Sequence, residues 1–304
     1  MDYTLHQLQI FLKVVKTKSI TKAAVELFMT QPAVSIQLRN LQDQFEIPLT
    51  EVVGRQLYIT EFGKQVAEIA ERVVQELENI NAKTMAFQGM LTGKLAISSA
   101  STGKYVIPFF LSGFLDQHTG IDLVLDVTNK SRVVESLKNN ETDFALVSVV
   151  PSNLNVEEEL LIENKLYLMG SEPVRNEGKP LIYREEGSAT RMMMEQYFEK
   201  QEGKQRKRIE LTSNEAVKQA VIAGMGHSIM PLIGMHNELM SKEIYILPSA
   251  GLPINTQWRL IWLKGKKLLP VSQAFLEYVR TEKQNILKKH FYWYLSYGEE
   301  WKEV

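Results

Sequence analysis

The sequence predicts an α/β protein preceded by a small all-helical module. Three observations predict it. Apolar residues recur at helical spacing through the first sixty positions, a 3.5-residue repeat follows from Val66 to Phe87, and strand-like and helix-like stretches alternate from Lys94 to about Lys289. Composition agrees: 44% of the 304 residues are apolar and 23% charged, values of a chain that buries cores. At roughly 100–200 residues per domain, the length suggests two or three units. With 35 Lys+Arg against 36 Asp+Glu, the chain does not coat nucleic acid indiscriminately, although one small DNA-binding module is compatible with that balance. It has no cysteine, which excludes disulfides, thiolate nucleophiles and Cys-ligated zinc. The opening MDYTLHQLQI carries an acid and two Gln with no apolar run behind it, so no signal peptide is expected. The longest apolar runs, such as Tyr105 to Leu115, are too short and interrupted to span a bilayer. A cytoplasmic protein without a membrane partner is expected.

Leu8, Phe11, Leu12 and Val15 sit at i, i+3, i+4 and i+7 and predict a first helix with one buried face. Thr21 is expected to cap a short second helix holding Ala23, Ala24 and Leu27. Thr30 is expected to cap a third, with Gln31-Pro32 in its first turn. That helix should run from Ala33 to about Phe45 and bury Val34, Leu38, Leu41 and Phe45. Two short helices about a tight turn, the second opening on polar side chains, form a helix-turn-helix. Arg55 and the alternating Gln56-Leu57-Tyr58-Ile59 predict a following hairpin, or wing.

The third helix is expected to expose Gln31, Ser35, Gln37 and Arg39. Amide and guanidinium groups make paired hydrogen bonds to base edges, each worth about 1–3 kcal/mol of discrimination. Hydroxyls and free N–H groups at a helix start suit phosphates. For a lone helix, a solvated polar face explains such residues as well. Here the spacing, the capped turn and the wing favour DNA. Charge gives modest support: residues 1–60 hold six bases (Lys13, Lys16, Lys18, Lys22, Arg39, Arg55) and five acids (Asp2, Glu26, Asp43, Glu46, Glu51).

The run SITKAAVELFMTQPAVSIQLRNLQDQF, followed by YITEFG, resembles the winged helix-turn-helix signature of LysR-type transcriptional regulators. The resemblance implies that Ser19, Thr21, Thr30, Gln31, Pro32, Ser35 and Gln37 lie at or near double-stranded DNA, with Gln31, Pro32, Ser35 and Arg39 on the recognition helix. Three positions depart from the family pattern. Gln42 stands where the family usually has Glu, and in PLTEVVGR Thr50 and Val52 replace the usual Phe and Arg. Arg55 is the candidate replacement for the lost wing arginine.

Thr60 is expected to cap a long helix. Val66, Ala70, Val73, Leu77, Ile80, Thr84 and Phe87 are spaced 4, 3, 4, 3, 4, 3, the pattern of a two-helix seam among charged and amide neighbours. An amphipathic helix lying on its own domain fits the same pattern. The resemblance favours a linker helix that pairs protomers, hence an inverted-repeat target and a dimer of dimers.

Gln88-Gly89 and Thr92-Gly93 mark a boundary. The stretches 94–98, 121–127 and 144–149 read as strands, and 106–118 and 131–139 as helices, an alternation that argues largely parallel strands. A second set begins near Leu166 and includes 180–184, a helix over 190–198, 215–223 and 227–230. After 258–263, a last helix runs from Val271 to about Lys289. The segments GKLAISSASTGKYVIPFFLSGF, Asp143-Phe144-Ala145, IYREEGSATR and SNEAVKQAVIAGMGHSIMP resemble the two-lobed, periplasmic-binding-protein-like effector domain of that family. The division then expected is 1–60, 61–90 and 91–304, with lobe I at about 91–163 and 268–304 and lobe II at about 164–267.

In open α/β sheets, ligands bind beyond the carboxyl ends of strands. Hydroxyls gather at those expected ends: Ser99, Ser101 and Thr102, then Ser131, Ser148, Ser188 and Thr190. Arg184 and Arg191 flank the last cluster and are candidate partners for a small anionic effector. Each hydroxyl alone is explained as a helix cap; together they argue a cleft. The REEGSATR run resembles a subgroup containing regulators of carbon fixation and of sulfur or nitrogen assimilation. The aromatic tail His290–Trp301 fits either packing on its own domain or a subunit contact.

No P-loop, Gly-x-Ser-x-Gly elbow or His-x-x-x-His pair is present, and the five His are scattered (His6, His118, His227, His236, His290). No catalytic residue, metal or cofactor is expected. A solute-binding protein whose N-terminal helices only dimerise is the alternative function.

Overall fold

The structure, a computed structural model, describes residues 3–54, 56–87, 91–200 and 206–297. Two compact units result, 1–88 and 89–304. The first holds α1 (Leu5–Thr17), α2 (Ile20–Glu26), α3 (Gln31–Gln42), the antiparallel hairpin β1 (Thr50–Val53) and β2 (Gln56–Ile59), and α4 (Glu61–Phe87). Helix α1 is opened by a capping box, Thr4 and Gln7 each bonding the other's backbone N–H. Its buried face is Leu8, Ile10, Phe11 and Val14, whereas Leu12 and Val15 are half-buried, so the apolar stripe is turned by part of a residue from the expected one. Ser19, and not Thr21, caps α2, because the chain is already extended there (φ −158°, ψ 121°) and its oxygen faces Lys22 N at 3.3 Å. Thr30 caps α3 as expected. This helix ends at Gln42 rather than Phe45; Phe45 follows in a turn, half-buried, its ring stacked on Tyr3 and edge-on to Phe62.

Thr60 opens α4 through its hydroxyl at 2.9 Å from Gly63 N. The early heptad positions serve the unit itself: Ala70 is buried in the core with Ala67, and Val66 packs against it. Val73 and Leu77, further along the same stripe, are exposed. Side chains at Thr84 and Phe87 lie outside the described residues.

The second unit is built on a seven-stranded sheet flanked by helices. The chain runs β3 (Thr92–Ala100), α5 (Ile107–Gln117), β4 (Gly120–Thr128), α6 (Lys130–Lys138) and β5 (Phe144–Val147), with β3 parallel to both β4 and β5. Then comes β6 (Val156–Gly170), fifteen residues long. It is followed by β7 (Leu181–Arg184), α7 (Ala189–Glu199), β8 (Arg208–Leu211), α8 (Asn214–Ile222), β9 (Ser228–Pro231), α9 (His236–Met240) and β10 (Tyr245–Ile246). Strand β11 (Ile254–Leu263) returns antiparallel to β6 and β5, and α10 (Pro270–His290) with α11 (Tyr292–Ser296) completes the chain. The sheet order is β10-β6-β11-β5-β3-β4, with β9 also on β6; β7 and β8 form a separate parallel pair.

The strands are therefore mixed, not largely parallel. Strands β6 and β11, fifteen and ten residues long, pair antiparallel with each other, β11 also with β5 and β6 also with β9. The main core gathers Phe110, Phe114, Phe144, Trp258 and Phe275, all fully buried. The aromatic tail packs on its own domain as far as residue 297, and 298–301 lie outside the described residues. Phe291 and Tyr294 are buried, and the Tyr294 hydroxyl donates to Glu163 O (2.9 Å) and accepts from Lys165 N (2.8 Å) on β6. Burial pushes that hydroxyl's pKa up, which keeps it a donor. Among the described residues no helix is long and apolar enough to cross a membrane.

Candidate nucleic-acid interface and effector cleft

The helix-turn-helix is organised by its caps. Ser19 and Thr30 fix the starts of α2 and α3, and between them Phe28 takes a left-handed conformation (φ +54°) with its ring 99% exposed. On α3, Gln31, Pro32 and Arg39 are exposed and Ser35 is half-buried. At 3.6 residues per turn, Gln31, Ser35 and Arg39 fall within about 80° of arc and make one polar stripe. Gln37 does not join it: it sits about 240° round from Gln31, half-buried, nearer the side that holds Val34 and Leu41. Thr21 and Thr30 are exposed, and Ser19 is half-buried. Arg55 lies outside the described residues.

Of the basic group on α1 and α2, Lys13 is paired with Glu26 at 2.9 Å, while Lys16, Lys18 and Lys22 are exposed. Gln42, one of the departures from the family pattern, has a structural task. Its side-chain oxygen accepts from Leu49 N, Thr50 N and the Thr50 hydroxyl, each at 3.3 Å, and so ties the end of α3 to the start of the wing. The signal for this pairing was the coincidence of two departures, Gln42 and Thr50, which are bonded to one another.

In the second unit a cleft of about 750 Å³ opens between the amino end of α6 (Lys130, Ser131), the Pro151–Asn153 loop and the turn Glu186–Ser188 that enters α7. Gly187 in that turn has φ +81°, and a side chain there would start 2.6 Å from the Ser131 hydroxyl, so the two walls touch at this point only because the residue is glycine. Of the expected effector residues, Ser131, Ser188 and Arg191 line the cleft. Ser188 caps α7 through Arg191 N. Arg184 is buried beside them and accounts for Ser101, whose hydroxyl it reaches at 3.1 Å. Thr102, Ser148 and Thr190 are buried, and Ser99 is wholly enclosed, its hydroxyl donating to Ala100 O.

Both arginines are already compensated. Arg184 donates Nε and Nη2 to Glu185 at 2.8 and 2.7 Å, and Nη1 to Asn214. Arg191 donates to Glu195 (2.9 Å), Glu210 (2.7 Å) and the Arg184 carbonyl (3.1 Å). Burial works against the Arg191 charge, yet hydrogen bonds to Glu195 and Glu210 more than offset it and raise the pKa. The sequence reading named the cations and missed these acids, although Glu185 and Glu195 lie within five residues of the arginines they neutralise. It also missed Lys130, the first residue of α6 and part of the cleft wall, whose pKa is lowered by burial. A cation at a strand-to-helix turn next to Ser131 was the available signal.

With both sites described, the chain's likenesses fall into place. Residues 5–64 match the bacterial regulatory helix-turn-helix protein, lysR family, and residues 88–284 match the LysR substrate binding domain. The HTH-type transcriptional activator CmpR of Synechocystis sp. is 37% identical over 91% of this chain and 94% of its own. A RuBisCO operon transcriptional regulator of Allochromatium vinosum is 36% identical over 93% and 97%. Among solved structures, the Synechocystis PCC6803 CcmR regulatory domain in complex with 2-PG superposes with a TM-score of 0.60 at 31% identity, covering 64% of this chain and 99% of that one. A helix-turn-helix unit followed by a two-lobed effector domain, matched along almost its whole length, places this chain in the LysR family of transcriptional regulators.

Proposed function

We propose that this chain is a cytoplasmic, non-enzymatic regulator of carbon-fixation genes. It reads an inverted repeat in double-stranded DNA as a dimer of dimers and responds to a small anionic metabolite held between its two lobes. The division expected from the sequence (1–60, 61–90 and 91–304) serves these tasks in turn. The polar stripe on α3 carries the reading. Gln31 and Arg39 present an amide and a guanidinium to a major groove, with Ser35 and Pro32 between them, while Ser19, Thr21, Thr30 and the exposed lysines of α1 and α2 suit the phosphates on either side. Gln37 belongs to the same set by resemblance, off that stripe, and Arg55, outside the described residues, takes the part of the missing wing arginine. Effector closure of the lobes changes the angle between reading heads, a coupling that requires the two states to differ in effector affinity, typically by about 1–3 kcal/mol.

Duplex DNA from upstream of the protein's own gene tests the reading. Gln31→Ala is expected to weaken binding by about 1–3 kcal/mol while leaving the melting temperature and oligomer size unchanged. Unchanged affinity in that variant removes α3 as the reading element.

A further inference from the structure

An anionic effector needs an uncompensated cation, and neither arginine of the cleft supplies one. Arg184 commits four of its five N–H groups to Glu185, Asn214 and Ser101. Arg191 is held by Glu195 and Glu210. A ligand that took either guanidinium would first have to displace a carboxylate already bonded to it, and would gain little.

Lys130 is in a different state. It follows Asn129, the cap of α6, so its position is fixed by a nine-residue helix. It is half-buried, lines the cleft, and among the described residues forms no hydrogen bond or ion pair. Burial alone lowers its pKa, with no acid to offset the cost. Holding an ammonium in this way costs free energy unless something else supplies the missing charge. Across the gap, the turn Gly187-Ser188 presents the amino end of α7, eleven residues long, whose first-turn N–H groups favour an anion at the same place. The acids of the lining do not fill the role: Glu195 is bonded to Arg191 and Arg208, and Glu186, exposed to solvent, lies 4.0 Å from the Arg191 guanidinium.

We propose that Lys130, and not Arg184 or Arg191, receives the charged group of the effector, a small molecule that places one carboxylate or phosphate between α6 and the amino end of α7. This rests on the reading of the cleft as an anionic-effector site. It places the cation on the opposite wall from REEGSATR, the motif that drew attention to the cleft.

The test titrates the full-length protein with 2-PG, inorganic phosphate and acetate, reading calorimetric affinity and melting temperature; the phosphate and acetate arms tell which group is held. At least one probe is expected to bind the wild type. Lys130→Gln should weaken that probe about tenfold or more, and Lys130→Arg should stay within about threefold. The ligand-free melting temperature of Lys130→Gln should equal or exceed the wild type, because the unpaired charge is gone. Wild-type affinity in Lys130→Gln overturns the assignment of Lys130 and leaves the cleft reading standing. A wild type that binds none of the three overturns both.

Discussion

Gln42 shows how one side chain can carry a joint between elements. Its single oxygen accepts from two backbone N–H groups and a hydroxyl at the entry to the wing. Gln42→Ala is therefore expected to cost about 1–3 kcal/mol of stability, measured by chemical denaturation of the full chain, with the loss concentrated in the N-terminal unit. The same residue illustrates what was legible in advance. Residue types at the start of α3 were read correctly because caps and turns are set by neighbours two or three positions away. The partners of Arg184 and Arg191 were not, although Glu185 and Glu195 lie close by, because a sequence lists charges without saying which side chains share a wall. Ser19 took the cap expected of Thr21 for a similar reason: both hydroxyls are local candidates, and only the backbone angles choose between them.

Helix α4 divides its labour along its length. Val66, Ala67 and Ala70 belong to the core of the first unit, while Val73 and Leu77 expose apolar surface on the continuation of the stripe. A regular 3.5-residue repeat did not distinguish these halves, since burial on one's own domain and burial on a partner demand the same residues. If the exposed half is the seam, Val73→Glu with Leu77→Glu yields monomers by light scattering after size-exclusion chromatography, with the fold of each unit intact; an undisturbed oligomer places the seam elsewhere. Strand β6 was the least legible element. Its first half reads Val-Glu-Glu-Glu-Leu-Leu, a charge run that does not look like a strand. Its acids are answered from far along the chain, Glu157 by Trp262, Glu158 by Arg259, and Glu159 by Arg280 and Lys283. Burial raises the Glu159 pKa, but hydrogen bonds from Lys283 and Arg280 outweigh it and leave the pKa below the usual carboxylate value. A group with a depressed folded pKa stabilises above its unfolded value of about 4.3 and loses that contribution as pH falls through the folded one. Melting temperature should therefore fall between about pH 5 and pH 3, and Glu159→Gln should reduce that dependence while costing about 1 kcal/mol at neutral pH.

At the level of the whole molecule, the account joins a reading element of modest charge to a ligand-responsive domain. Net charge near zero and a small basic group on α1 and α2 mean that affinity cannot come from phosphate contacts in one copy alone. In the proposed oligomer, two copies held at a fixed spacing would supply what one lacks, since the second contact becomes intramolecular. The class of each unit was legible from apolar periodicity, and the lobe exchange through β6 and β11 was not, because antiparallel return across a hundred residues leaves no local trace. Footprinting of the full-length protein on its own upstream DNA tests the joint claim most directly. The account predicts two protected half-sites on one face of the duplex, centres separated by one or more turns of about 10 bp, both lost together in Gln31→Ala. A single isolated footprint, or protection that survives the substitution unchanged, would contradict it.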